Sequence, residues 1–145
     1  MEVTKIICSG FAATSLMTAF SYLVSRIKNK QFREPELLNI LISRSDLLNF
    51  KLSKKSSVGW VLHYVIGWIF VIIFDVLWKF NFPPFSVLSG ALLGLVAGII
   101  GVFGWKIFFS LSNNPPKIDW SEYYLQLIIA HIIFGVTAAL VFLSW

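Results

Sequence analysis

The chain has two histidines, and both lie in strongly apolar stretches. His63 begins the motif "HYVIG" and His131 begins "HIIFG", so that glycine, Gly67 or Gly135, follows each histidine four residues later. Imidazole exchanges protons near neutral pH, and a pair of imidazoles can ligate haem iron. Ionisable residues inside an apolar helix are candidates for function by default, because burying them is costly. The two histidines are therefore the first candidate site.

Three interpretations of the histidines stay open at the level of sequence. In the first, which we favour, each imidazole hydrogen-bonds a backbone or hydroxyl group of a neighbouring helix, and Thr14, Thr18 and Ser21 are candidate partners. In the second, His63 and His131 form a pathway for protons or a small polar solute. In the third they ligate haem b in a redox subunit. No other cofactor is expected.

Metal binding and catalysis receive little support from the residue types. The single cysteine, Cys8, is expected far from the histidines along the helix axes, so a zinc ligand set would not converge. Asp75 and His63 are twelve residues apart, roughly 18 Å along one helix, which is too far for a catalytic pair. We predict no metal site, no catalytic residues and no enzymatic activity. Asp75 and Lys79 have the i, i+4 spacing of an ion pair, which we place near the outer membrane interface.

Composition and apolar block length indicate which elements hold these residues. Hydrophobic residues make up 57% of the 145 residues and charged residues 13%, about half the charged fraction of a typical soluble domain. Four blocks are long enough to cross a bilayer as helices. The sequence therefore predicts an all-α membrane protein, a four-transmembrane-helix bundle in one domain over 1–145, with spans at about 3–25, 57–80, 86–109 and 121–144.

The distribution of basic residues predicts the orientation of the bundle. Ten of the twelve Lys and Arg residues lie at one end, in or beside the connections between the first and second spans and between the third and fourth. The positive-inside rule places those connections in the cytoplasm and both termini on the periplasmic side. The net charge of +5 is then an orientation signal, and we expect a lipid bilayer, rather than nucleic acid, as the partner.

Glycines predict where the helices pack closely. The third span carries five that fall within a stripe of about 120° at 100° per residue. Such stripes allow two helix backbones to approach within lipid, whether the partner is another span or a second protomer. The predicted packing glycines are these five together with one in each other span: Gly10, Gly67, Gly90, Gly94, Gly98, Gly101, Gly104 and Gly135.

The connection between the first two spans has its own pattern. Pro35 stands where a helix can begin, and leucines fall on one side of the following stretch. The stretch is too short and too charged to cross a bilayer. We predict an amphipathic helical segment at about 33–55 lying at the cytoplasmic membrane interface. Its apolar side comprises Leu37, Leu38, Leu41, Leu48 and Leu52.

An internal repeat relates the two histidine motifs. Aligning the first span on the third with an offset of 80, and the second on the fourth with an offset of 68, brings the histidines, their glycines and several small residues together. The matched pairs are Gly10 with Gly90, Thr14 with Gly94, Thr18 with Gly98, Ser21 with Gly101, Arg26 with Lys106, His63 with His131, Gly67 with Gly135 and Phe74 with Phe142. We therefore predict two parallel helix pairs related by a two-fold axis along the membrane normal.

The order of the motifs carries a resemblance. The opening "GFAATSLMTAFSYL", the following "REPELL" and the second span with His63 together resemble small four-span bacterial membrane proteins of unassigned function. The resemblance implies a bacterial inner membrane and brings no activity. We expect a non-enzymatic structural or accessory subunit of a membrane assembly, with other membrane subunits or further copies of the chain as candidate partners.

Overall fold

Five α-helices make up the regular structure of the part of the chain described here. The structure is a computed structural model that describes residues 2–45 and 51–145. The helices are α1 (Glu2–Lys28), α2 (Glu34–Ser43), α3 (Ser57–Lys79), α4 (Val87–Ser110) and α5 (Trp120–Leu143).

The four long helices are long and apolar enough to cross a membrane. Their ends agree with the predicted spans to within three residues. Much of their outer surface is apolar; Leu23, Ile69 and Phe103, for example, are each more than half exposed. Such a surface needs lipid around it, because a soluble monomer rarely exposes a large contiguous apolar area. The fold is that of a multi-pass integral membrane protein.

The packing of the long helices leaves one side of the bundle open. Helix α1 packs against both α3 and α5, and α4 packs along α5, whereas α3 and α4 touch at very few places although they follow each other in the chain. The "NFPPF" turn between them joins their ends and holds them together only there. Away from this turn, α3 and α4 therefore have little direct contact with each other.

The basic connections lie at the same end of the bundle, which we call the basic end. Lys28 Nζ lies 3.0 Å from Glu122 Oε2, and Lys30 Nζ lies 2.9 Å from Asp119 Oδ2. Asp119 also caps α5 by accepting a hydrogen bond from the backbone N–H of Glu122 at 3.2 Å. Arg44 donates to the carbonyl oxygen of Asn114 at 2.9 Å. These bonds tie the first connection to the second.

Helix α2 is shorter than the predicted segment at 33–55. Within the described residues the segment is helical only over Glu34–Ser43; residues 51–56 form no helix, and Leu48 lies outside the described residues. The first six residues of α2 are buried within the protein. Asn39 fixes α2 to the start of α3, because it donates to the carbonyl oxygen of Ser56 at 2.7 Å and accepts from the N–H of Gly59 at 2.8 Å. The first half of α2 is thus a packed part of the bundle.

Candidate functional site

His63 and His131 are both buried, and both line one cavity. His63 Nε2 lies 3.0 Å from the hydroxyl oxygen of Thr18 on α1. His131 Nδ1 lies 2.8 Å from the carbonyl oxygen of Leu127, one turn earlier on α5. His63 thus has the predicted hydroxyl partner on a neighbouring helix, whereas the partner of His131 is a backbone carbonyl of its own helix rather than of a neighbouring one. Each bond uses one ring nitrogen and leaves the other for a further partner.

The cavity has a volume of about 200 Å³ and takes its walls from all five helices. Its lining is mostly apolar, which is the usual character of a small-molecule site. At its rim, Ile66 of α3 and Ile100 and Phe108 of α4 are 41%, 54% and 51% exposed, so the mouth lies between these two helices. The cavity therefore opens sideways, toward the surface that the bilayer covers.

Glu34, the first residue of α2, forms part of the cavity wall and is fully buried. Its Oε1 accepts a hydrogen bond from the Ser21 hydroxyl at 2.8 Å and a longer one from the Gln126 amide at 3.4 Å. Its Oε2 has no hydrogen-bond partner in the structure. Burial raises the pKa of Glu34 from 4.5 to about 7, although the two hydrogen bonds act in the opposite direction.

Sequence reasoning did not single out Glu34 as a site residue. Beside Pro35 at the start of a short helix, an acid is typical of the positive helix end, and Glu36 has that ordinary environment. Burial alone would raise the pKa of Glu36, but hydrogen bonds from Arg33, Gln31 and Lys54 lower it below its usual value. The sequence gives one weak indication that Glu34 and Glu36 have different environments. Of the two acids, only Glu36 has a basic residue, Arg33, three positions before it.

Most of the predicted glycines do pack against another helix. A methyl group added at Gly90 would lie 2.5 Å from the carbonyl oxygen of Gly135, and one added at Gly98 would lie 2.9 Å from Cα of Ile128. Gly94 likewise meets the α5 backbone at His131. Outside this contact, Gly10 lies against the Trp68 ring. The partner of the α4 stripe is thus an intramolecular helix, α5.

The contact between the glycine stripe of α4 and helix α5 ends before Gly104, the last glycine of the stripe. A methyl group at Gly101 would lie 3.3 Å from the His131 ring, which is tight, but one at Gly104 would meet nothing within 4 Å. Gly104 thus contacts no other helix among the described residues, and its role in close packing stays a prediction. Both glycines line the cavity, and Gly104 forms part of its open wall.

Some contacts within the α1–α3 pair have counterparts within the α4–α5 pair. Gly67 lies against the side chain of Thr14, and Gly135 lies against the backbone of Gly94, the residue that matches Thr14 in the predicted repeat. His63 bonds to Thr18, and His131 lies against Gly98, which matches Thr18. Two of the matched pairs thus have comparable contacts, whereas Gly135 comes nearest to Gly90, whose match in the predicted repeat, Gly10, lies against Trp68.

Asp75 and Lys79 lie apart from the cavity. Lys79 Nζ is 2.7 Å from Asp75 Oδ2, which is the ion pair that the i, i+4 spacing predicts. Among the described residues, no three His, Cys, Asp or Glu side chains are placed to hold a metal ion together, and Cys8 is exposed. The polar groups that converge are instead those of the cavity.

The class of protein that these observations define is a four-span integral membrane protein with a laterally open, partly polar cavity. No protein-family model, no curated protein and no solved structure matches the chain.

Proposed function

We propose that this protein is a non-enzymatic membrane protein that binds a small, mainly apolar molecule taken from the bilayer. The observation that carries the proposal is the cavity between α3 and α4, which combines apolar walls with three buried ionisable side chains: Glu34, His63 and His131. Burying such groups is unfavourable unless they have partners, and Glu34 Oε2 has none within the described structure. A bound molecule supplies the missing contacts.

Binding fits the geometry better than conduction. Beyond the cavity, toward the turn that joins α3 to α4, the bundle is filled by a tightly packed core that includes Val71, Phe74 and Ala138. Toward the basic end, Glu34 and Leu38 of α2 form the cavity wall. This arrangement favours entry and exit through the side of the bundle over a route across the membrane.

The cavity volume also argues against haem b. Pockets for drug-sized ligands measure about 300–1,000 Å³, and a haem macrocycle is at least of that size. The cavity provides about 200 Å³. We therefore derive no redox step from the histidine pair.

The proposed setting is a bacterial inner membrane, with the basic end in the cytoplasm and both termini in the periplasm. The clustering of ten of twelve basic residues at one end supports this orientation. A phosphatase reporter that folds only in the periplasm should be active when fused after Trp145. Green fluorescent protein fused at the same place should not fluoresce. The opposite pair of results would contradict the orientation.

Two structural proposals accompany the function. The matched contacts of the α1–α3 and α4–α5 pairs support an origin of the bundle by internal duplication. The partly exposed second half of α2, with Leu41 and Ile42, supports a position at the cytoplasmic membrane interface for that half alone. The first half of α2 then closes the cavity on its cytoplasmic side.

Photo-crosslinking in reconstituted bilayers tests the proposed binding. A hydrocarbon probe with a diazirine group should form adducts concentrated on the cavity rim, at Ile66, Ile100 and Phe108. Gly104→Leu should suppress these adducts, because the new side chain projects into open cavity space. Ala19→Leu, which adds the same bulk on the exposed surface of α1, is the matched control. Even labelling of all lipid-facing surfaces, unchanged by Gly104→Leu, would refute the proposal.

A further inference from the structure

The hydrogen bonds around His63 determine which ring nitrogen carries its proton. The Thr18 hydroxyl donates its only hydrogen to the carbonyl oxygen of Thr14, at 2.6 Å. Toward His63 the Thr18 oxygen can therefore only accept, so Nε2 of His63 is the donor. In a neutral imidazole the other nitrogen, Nδ1, then bears a lone pair, and the hydrogen bond between His63 and Thr18 does not use it.

His131 reaches the same state with its nitrogens exchanged. A carbonyl oxygen only accepts, so His131 Nδ1 donates to Leu127 and the lone pair of the neutral ring lies on Nε2. The ring is held edge-on to Phe70, with centroids 6.2 Å apart, which fixes its plane. Gly101 lies beside Nε2, and because even a methyl group there would lie 3.4 Å from that nitrogen, in tight contact, only glycine leaves this side of the ring open. Each of the two histidines that line the cavity thus carries one ring nitrogen whose lone pair can accept a hydrogen bond.

Two further residues of the cavity wall, Thr14 and Glu34, carry groups that can donate as well as accept hydrogen bonds. The Thr14 hydroxyl oxygen and Glu34 Oε2 line or border the cavity and lack hydrogen-bond partners. A threonine hydroxyl can donate as well as accept, and a protonated carboxyl group can do so too. Lys and Arg are absent from the lining formed by the described residues, so nothing there would neutralise an anionic head group. The cavity wall therefore suits an uncharged ligand group that both donates and accepts hydrogen bonds.

An apolar groove continues from the cavity along the outside of the bundle. The groove has a volume of about 370 Å³ and shares Leu38, Ile66 and Phe108 with the cavity wall. Apart from two serines, its lining is aliphatic or aromatic: Leu38, Leu41, Ile42, Leu62, Ile66, Phe108 and Leu111. It runs between α2, α3 and α4, on the side that the bilayer covers. A hydrocarbon chain can occupy this groove while its polar end lies in the cavity.

We infer that the ligand is an uncharged membrane amphiphile with a hydroxyl head group, such as a long-chain or isoprenoid alcohol. The inference rests on the proposed binding function and adds the chemistry of the ligand. The hydroxyl donates its hydrogen to His63 Nδ1 or His131 Nε2, and its oxygen accepts from Thr14 or Glu34. The apolar chain lies in the groove lined by Leu62 and Ile66 of α3.

Competition between an alcohol and its methyl ether tests the head group. The full chain in lipid nanodiscs is crosslinked with a diazirine-bearing long-chain alcohol, and the cavity adducts are displaced with unlabelled alcohol or with the ether of the same chain. The ether cannot donate and would leave a buried acceptor unpaired, so we expect it to compete about tenfold more weakly. An amine and a carboxylic acid of the same length should also compete more weakly than the alcohol.

Substitutions assign the preference to the imidazoles. His63→Phe or His131→Phe, whichever removes the imidazole that accepts the hydrogen, should make alcohol and ether compete about equally while adducts still form in the cavity. Full preference for the alcohol in both variants would contradict the assignment to the imidazoles. Thr137→Val on the helix of His131, which removes a comparable bond to a carbonyl oxygen one turn earlier, should leave the preference for the alcohol unchanged. The comparison of alcohol and ether in the unsubstituted protein tests the head group without depending on whether any variant folds.

Each outcome separates the two claims. Cavity adducts with equal competition by alcohol and ether, or with an amine or acid as the best competitor, would overturn the head-group inference and leave the binding function standing. The absence of adducts concentrated at the cavity would remove the binding function itself.

Discussion

Replacing Glu34 with glutamine should make the protein more stable at neutral and alkaline pH. Glutamine keeps the shape of the side chain and an oxygen that accepts from Ser21, but it has no proton to lose. In the native protein burial raises the pKa of Glu34 from 4.5 to about 7, so the folded state keeps a proton that the unfolded chain releases between these values. The free energy of unfolding therefore falls as pH rises through that window, and the loss is complete above pH 7.

The pKa difference sets the size of the effect. A difference of about 2.5 pKa units corresponds to about 3 kcal/mol, at about 1.4 kcal/mol for each unit. Unfolding of detergent-solubilised protein by denaturant, measured from pH 4.5 to pH 8.5, should show a decline of this order. The Glu34→Gln variant should lack this decline and exceed the unsubstituted protein in stability at pH 8.

Glu36→Gln is the matched control two residues along α2. The pKa of Glu36 is lowered by its hydrogen bonds from Arg33, Gln31 and Lys54, so its contribution to stability is present at neutral pH and is lost as pH falls. This substitution should therefore lower stability at pH 8 and leave the decline due to Glu34 in place. Equal pH profiles for the unsubstituted protein and Glu34→Gln would refute the assignment of a buried acid.

Further predictions concern packing and the attachment of α2, all measured as free energies of unfolding in detergent. Gly135→Ala should cost about 1–3 kcal/mol because the added methyl group meets backbone, whereas Gly67→Ala should cost less because it meets a side chain that can rotate. Gly104→Ala should be neutral or stabilise by up to about 1 kcal/mol through helix propensity, and a large cost there would contradict an open cavity wall. Asn39→Ala should cost about 2–4 kcal/mol, since it removes hydrogen bonds to the carbonyl oxygen of Ser56 and the N–H of Gly59, while an unchanged stability would show that α2 is not anchored there.

The four long helices could be predicted from sequence because lipid imposes a simple rule. A segment that crosses a bilayer must be apolar and about 20 residues long, and the blocks around Thr14, Phe70, Gly98 and Phe134 satisfy both conditions. The hydrogen bond of His63 to a hydroxyl group of α1 follows similarly, because a buried imidazole needs a partner. The expected partner of His131 lies on a neighbouring helix, but the observed one is Leu127 of its own helix.

The cavity could not be predicted because it depends on three-dimensional arrangement. Periodicity places Gly104 on the same face as Gly90, but whether that face still meets a helix depends on how far α4 and α5 have diverged by that turn. The burial of Glu34 likewise depends on where α2 packs, and charge near Pro35 is equally typical of an exposed helix start. Local pattern predicts the elements, and their crossing angles determine the spaces between them.

The burial of Glu34 has a consequence for biogenesis. Helices of a membrane protein insert first and associate afterwards, and α2 is too short to insert as a span. Because Glu34 bonds both Ser21 of α1 and Gln126 of α5, its surroundings are complete only once α1 and α5 have come together. The cavity wall is thus completed by a segment that is synthesised before three of the helices that enclose the cavity.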